Sequence, residues 1–171
     1  MDGVGTRRMW LAWAALSIVA TLAACAPAPP PPPPTIVSLT LTTRPDANPN
    51  AAGQGAPVII RVYQLGSSAG FEKAEFYRLF NQDAATLGSD VIKRDEFLLA
   101  PASSKTVQLD PPSAVKAIGV FAAYRDFSHT TWRGVADVPE HKTTTITVKA
   151  DASGIAVAAK TAEPPPAKPG S

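Results

Sequence analysis

The chain is poor in the residues that most often carry chemistry. It has one cysteine, Cys25, and two histidines, and of its three tryptophans only Trp132 lies beyond residue 24. A lone cysteine leaves no intramolecular disulfide, so the fold has to rest on apolar packing even in an oxidising compartment. His129 and His141 stand twelve residues apart in polar, turn-like surroundings with no cysteine or carboxylate at metal-ligand spacing, which argues against a zinc site. Charge is also scarce, at 18% of residues and a net +2. The net charge falls to +1 if residues 1–24 are removed, because Asp2, Arg7 and Arg8 leave together. Without a basic stripe or a Lys/Arg cluster, nucleic acid is not an expected partner. The longest apolar stretch, Met9 to Ala24, has 16 residues and falls short of the roughly 20 that span a bilayer.

Catalytic constellations are equally absent. Asp126, Ser128 and His129 are close in sequence, but a catalytic triad is defined by geometry across a fold, and neighbours in one loop do not reach it easily. Asp95 and Glu96 are adjacent on a strand, point to opposite faces and cannot share a proton. Glu72, Glu75 and Asp83 fall in a helical segment, where the macrodipole accounts for them. Gly66 and Gly70 lack the spacing of a phosphate loop. Neither an enzyme nor a metal or small-molecule cofactor is expected.

What is present begins with Cys25. Arg7 and Arg8 precede the apolar stretch, and Leu22-Ala23-Ala24-Cys25 closes it, giving a positive n-region, an h-region and a small-residue cleavage site. A peptidase that cuts just before a diacylated cysteine needs small side chains at the two preceding positions and a leucine before them. Residues 1–24 are therefore expected to be a lipoprotein signal peptide. Cys25 is expected to carry diacylglycerol and a fatty acyl chain, its only covalent additions. Residue 26 is Ala rather than Asp, so the usual inner-membrane retention signal is missing and the periplasmic face of the outer membrane is the expected location.

Residues 25–35 form a proline-rich tether with six consecutive prolines, which favours a polyproline II spacer. Nine such residues reach roughly 28 Å. The stretch 161–171 is again proline-rich and is expected to be a disordered tail. Between them, residues 36–160 read as one all-β sandwich domain, because short apolar runs of period two alternate with Gly, Pro, Asn and Asp. Eight strands are expected: 36–42, 58–65, 91–99, 106–109, 117–124, 132–138, 143–149 and 155–160. Ala117 to Tyr124 is nearly all apolar, as befits a central strand covered on both faces. A helical insert is expected from Phe71 to Gly88, with Phe71, Phe76, Phe80 and Leu87 packing onto the sheets. Trp132 is expected to anchor the core, while Arg125 and Asp126 tie the adjoining loop by ionic hydrogen bonds.

The blocks Arg61-Val62-Tyr63-Gln64-Leu65, Phe71-Glu72-Lys73-Ala74-Glu75-Phe76, Leu87-Gly88-Ser89-Asp90, Arg94-Asp95-Glu96-Phe97, Tyr124-Arg125-Asp126 and Thr131-Trp132-Arg133 follow one another in a recognisable order. With the lipobox, the chain resembles the TssJ family, also called VasD or SciN, the outer-membrane lipoprotein of type VI secretion systems. The similarity runs from about Leu39 to Val157. It implies a transthyretin-like sandwich of two four-stranded antiparallel sheets and a non-enzymatic role. It also implies a partner, the periplasmic C-terminal region of TssM, with TssL in the same membrane complex.

The resemblance places much of that contact in the loop between the first two strands, here Thr43 to Ala56, with Asn48, Pro49, Asn50, Gly53 and Gln54 as candidate partner-binding residues. By physics alone a 14-residue loop in a small sandwich is long enough to favour a functional reading. The expected chemistry is main-chain and amide hydrogen bonding to TssM. The alternatives are a lipid-anchored carbohydrate- or peptidoglycan-binding module, which calls for exposed aromatics along one face, and a pilotin-like module that adds an edge strand to a client.

Overall fold

Alternation of apolar and hydroxylated residues makes β1 (Ile36–Thr43) two-faced: Val37, Leu39 and Leu41 are fully buried, while Ser38, Thr40 and Thr42 lie on the outer face. Burying each of those three side chains contributes about 1.5–3 kcal/mol. Outside, the hydroxyls of Thr40 and Thr106 lie 3.2 Å apart and those of Thr42 and Ser104 3.3 Å apart, an exposed polar ladder. The computed structural model describes residues 31–162. The expected signal peptide, Cys25, most of the expected tether and residues 163–171 of the expected tail lie outside the described residues; residues 161 and 162, expected in that tail, instead complete the last strand. The chain divides into Met1–Pro32 and Pro33–Ser171, and every described strand belongs to the second unit.

The remaining strands are β2 (Val58–Leu65), β3 (Val91–Leu99), β4 (Ser104–Leu109), β5 (Ala117–Ala122), β6 (Arg133–Asp137), β7 (Thr143–Asp151) and β8 (Gly154–Ala162). They form two four-stranded sheets, ordered β4-β1-β7-β8 and β3-β2-β5-β6, the expected sandwich. One pairing departs from a wholly antiparallel arrangement: β1 runs parallel to β7 over eight residue pairs, Ile36 with Thr143 through Thr43 with Ala150. Parallel neighbours require a long crossover, and the rest of the fold between them supplies it. The core between the sheets gathers Ile60, Val62, Ile118, Val120, Ile146 and Val148 around β1. All six residues of β5 are buried, as expected of a strand covered on both faces.

The two flanks of the sandwich differ. On one, β6 and β8 touch: Thr131 accepts a hydrogen bond from the Ile155 N–H at 2.7 Å, and its own N–H donates to Ser153. Gly134 sits so close to β8 that a Cβ there would lie 2.6 Å from Val157 Cγ2, so only glycine lets the sheets meet. On the other flank, β3 and β4 each have a single strand neighbour, and the Lys105 ammonium of β4 lies 5.2 Å from the Phe97 ring of β3.

The helical insert covers the outer face of the β2 sheet. It consists of α1 (Ala69–Lys73) and α2 (Phe76–Leu87), separated by extended backbone at Ala74 and Glu75. Phe71, Phe76, Leu79 and Leu87 are buried against Tyr63, Leu65 and Phe121, but Phe80 keeps 36% of its surface exposed and is only partly a core residue.

Sequence reading assigned Asp83 to helix-dipole compensation; the structure gives it another task. Arg61 Nη1 donates to the carbonyls of Leu79 (3.0 Å) and Phe80 (2.9 Å), which takes them out of the helical ladder, and α2 kinks at Gln82 (φ −142°). Beyond the kink Asp83 Oδ2 accepts from Tyr63 Oη (2.9 Å) and Arg94 Nη1 (2.7 Å), while Arg61 Nε donates to Glu96 (2.7 Å). Burial alone would raise the Asp83 carboxyl, but the bonds from Arg94 and Tyr63 outweigh it and hold the group below the usual carboxylate range.

Candidate partner-binding loop

Between β1 and β2 the chain leaves the sandwich as an arm with a fixed base. At the base, Thr43 is 2% exposed; its hydroxyl donates to the Ala100 carbonyl at 2.5 Å and its N–H to the Ser103 carbonyl at 2.9 Å. The Arg44 N–H then bonds the Ala150 carbonyl (2.8 Å), and Ala47, fully buried, accepts from the Ala56 N–H (2.9 Å), closing the arm like a rung. Gly55 passes so near the opposite limb that a Cβ would lie 2.0 Å from the Pro45 carbonyl oxygen.

Asn48 is the centre of this base and is not available to a partner. It is 3% exposed and holds φ at 50°, a left-handed conformation that asparagine tolerates better than most residues. Nδ2 donates to the Pro57 carbonyl (2.7 Å), and Oδ1 accepts from the Arg125 N–H (2.9 Å). One side chain therefore ties the two limbs of the loop to the exit of β5. Its role is positioning, because the amide is buried and each end is engaged with main chain.

The tip is built by Asn50. Its Oδ1 accepts from the N–H groups of Ala52 (2.9 Å) and Gln54 (3.1 Å), and its own N–H donates to the Gln54 carbonyl (2.8 Å). Gly53 turns the chain at φ 75°. The result is a short asparagine-organised turn of the kind that substitutes for regular structure. Ala51, Ala52, Gly53 and Gln54 are exposed, and Pro49 and Asn50 half-buried. Charge is confined to the base, where Arg44 Nε and Asp46 Oδ1 lie 3.6 Å apart in an exposed pair worth little. The tip thus presents main chain, one amide side chain and small apolar surface, with no net charge.

Of the five loop residues singled out from sequence, Pro49, Asn50, Gly53 and Gln54 gather at the tip and Asn48 at the base. Sequence reading missed the link from Asn48 to Arg125, which joins residues 77 positions apart and leaves no local mark. Arg125 contributes its backbone there, and no side-chain ionic bond from it is seen among the described residues. Trp132 is half-buried between both apolar clusters, edge-on to Phe76 (5.3 Å) and Phe121 (5.7 Å), with the Arg133 guanidinium 4.7 Å from its ring. It anchors the core and offers no flat face to a sugar. Arg133 Nη1 also bonds the carbonyls of Phe71 and Ala74, tying the end of α1 to the sheet.

Asp126, Ser128 and His129 do meet, but not as a triad. The Ser128 hydroxyl (3.0 Å) and His129 Nδ1 (2.8 Å) both bond Asp126 Oδ1, and the same Nδ1 lies 3.3 Å from Ser128 Oγ, so a single imidazole nitrogen faces both groups, whereas a triad relay needs the carboxylate and the hydroxyl on opposite ring nitrogens. The hydrogen bond from His129, then that from Ser128, holds the exposed Asp126 carboxyl low. No group of three His, Cys, Asp or Glu residues suited to a metal ion occurs among the described residues. Among them, too, no helix is long and apolar enough to cross a membrane.

Residues 35–153 match the family described as type VI secretion lipoprotein, VasD, EvfM, TssJ. The chain belongs to that family. Among solved structures it is similar to the TssJ1 lipoprotein of Pseudomonas aeruginosa, at 37% identity and a TM-score of 0.72, covering 76% of this chain and 99% of that one. It is also similar to Lip of Serratia marcescens, a membrane-bound component of the type VI secretion system, at 29% identity and a TM-score of 0.69, covering 74% and 98%. A chain of the structure described as the TssM C-terminal domain from EAEC matches at 28% identity and a TM-score of 0.59, covering 71% and 99%. No curated protein matches the chain. The TssJ family is a structural lipoprotein component of type VI secretion, not known as an enzyme, and its match covers both the arm and the Asp126 turn.

Proposed function

We propose that this TssJ-family protein is held in the outer membrane by lipid on Cys25 and grips the periplasmic C-terminal region of TssM with the tip of the β1–β2 arm. In this reading it anchors the type VI membrane complex, to which TssL also belongs, and catalyses nothing. The observation that carries it is the arm itself. It is rigidly based, with its tip exposed and uncharged, and it leaves β1 at the end opposite Thr35, where the tether arrives. Eight residues of strand separate those ends by about 26 Å. A domain suspended by one end of a strand thereby presents its contact at the other.

Affinity concentrated in a few tip contacts is the usual pattern of such interfaces. Ala52 is exposed at the tip and makes no side-chain contact that the base needs, so Ala52→Trp should leave folding intact while obstructing the contact. The expected result is at least a tenfold weaker pull-down of the TssM periplasmic domain, about 1.4 kcal/mol. Full binding by a folded Ala52→Trp protein would reject the arm as the contact. A Cys25→Ser protein should fold and remain soluble in the periplasm while secretion is lost; undiminished secretion would reject the anchoring role.

A further inference from the structure

The helical cover stops short of the arm. Leu98 of β3 and Ile59 of β2 sit opposite each other on the outer face of their sheet, and Leu98 keeps 70% of its surface exposed. Ala123, whose N–H donates to the Ile59 carbonyl (2.8 Å), extends this row past the end of β5. Beside the row, where α2 begins, Tyr77 is 58% exposed, Phe80 is exposed on one side and Phe127 is half-buried. These rings are linked: Phe80 and Phe127 both stack on Phe76, at 5.9 and 4.2 Å, and Tyr77 meets Phe127 edge-on at 5.0 Å. Phe80 also lies 6.4 Å from Phe121, which pairs with Arg61 two residues beyond Ile59, so row and rings form one apolar shelf. Apolar surface that is contiguous instead of scattered marks a contact.

The shelf runs into the base of the arm by two routes. β2 enters from Pro57, whose carbonyl is held by Asn48 Nδ2. β3 leaves through the turn in which the Ala100 carbonyl accepts from the Thr43 hydroxyl and the Ala102 N–H donates to the Arg44 carbonyl (3.3 Å). The tip of the arm offers no large side chain, whereas binding energy concentrates in large and above all aromatic ones. A partner that meets the tip needs its anchors close by, and the shelf supplies them. Neither surface is charged: Arg61, beneath the shelf, is 12% exposed and paired with Glu96 (2.7 Å). An uncharged, apolar segment therefore suits both. A sugar suits the shelf poorly, because the Phe127 ring is taken up by Phe76 and Tyr77, and the Phe80 ring by Phe76 and the Arg61 guanidinium, 5.5 Å from its centre.

We infer that this shelf is the apolar half of the TssM contact and buries an aliphatic or aromatic segment of the same periplasmic region that meets the arm. The inference rests on the arm reading for its partner; what it adds is a second surface, outside the arm, and the chemistry that surface takes.

The test titrates the full-length lipoprotein, in nanodiscs, with the TssM periplasmic domain. Leu98→Asp and Tyr77→Asp, at the two ends of the shelf, are compared with Ala52→Trp at the tip. Both shelf positions are exposed, so melting temperatures should hold while each Asp variant binds at least about tenfold more weakly. Leu98→Met and Tyr77→Phe keep the apolar surface and should bind as the unaltered protein does. Full affinity in both Asp variants, with Ala52→Trp weakened, would overturn the shelf and leave the arm reading standing. Weakened Asp variants beside an unimpaired Ala52→Trp would reject the tip and support the shelf. No binding of TssM by the unaltered protein would sink both. Sedimentation supplies a second readout: if the unaltered protein self-associates, and Leu98→Asp abolishes that while TssM binding persists, the shelf is a contact between copies and the inference falls. Should an Asp variant lose its fold, the Ser variant at that position takes its place.

Discussion

The two ends of β1 are held in different ways. Where the chain arrives, the contacts are at the surface: the His141 N–H bonds Thr35 Oγ1 (2.9 Å), His141 Nδ1 meets the Pro33 carbonyl (2.8 Å), and the histidine side chain is 46% exposed. Where the chain departs, the holding groups are Thr43, Ala47 and Asn48, each no more than 3% exposed. Water competes for the first set of bonds and not for the second, so the arm is the more firmly held of the two ends. A contact surface gains from being ordered in advance, because less freedom is lost on binding.

Asn48→Ala should break this asymmetry most, costing about 3 kcal/mol through two lost buried hydrogen bonds and a disfavoured φ. Urea unfolding measures the loss, and Asn48→Gly, which relieves the φ alone, should recover only a small part of it. Gly55→Ala should come next at about 2 kcal/mol, since the new methyl meets backbone and not a flexible side chain. Amide exchange should rise throughout residues 44–57 in that variant. Asn50→Ala removes the bonds of an exposed turn and should cost about 1 kcal/mol of stability while loosening TssM binding more than its stability loss suggests.

Acid separates both ends from the helical cover. The Asp83 carboxyl is depressed in the fold, so its stabilisation is complete above the unfolded value of about 3.9 and is lost as pH falls through the lower folded value. Asp83→Asn should therefore flatten the stability profile below about pH 4, read by thermal unfolding across pH, with the arm unaffected. The smallest effect belongs to the tether end. His141→Ala should change stability by less than about 0.5 kcal/mol, and a larger loss would erase the distinction between the ends.

Much of this was legible in the sequence because the signals were local. Alternation in Ile36–Thr42 and Thr143–Lys149 marked the strands, and an Asn-, Pro- and Gly-rich stretch marked the arm. Partnerships across long separations were not legible. The parallel match of β1 with β7 joins residues about a hundred positions apart, and neither strand carries a mark of its neighbour's direction. Asn48 read as an exposed loop residue because burial of a loop asparagine depends on where Arg125 and Pro57 lie. Asp83 read as a helix charge because the kink that redirects it comes from Arg61, on a strand some twenty residues earlier. Arg61 is a charged residue inside an apolar strand, and it marks a place where the sheet does more than pack.

Thr35 and Arg44 are joined by the eight residues of β1 alone. A pull applied between those two residues therefore travels down one covalent backbone. A strand rises about 3.3 Å per residue, close to the full reach of a chain, so that backbone holds almost no slack. The six residue pairs to β4 and the eight to β7 are not in series with the pull; they grip a cord that is already taut. Under the proposed anchoring role, tension between lipid anchor and partner would run along β1 while the sandwich around it stays folded and unstretched.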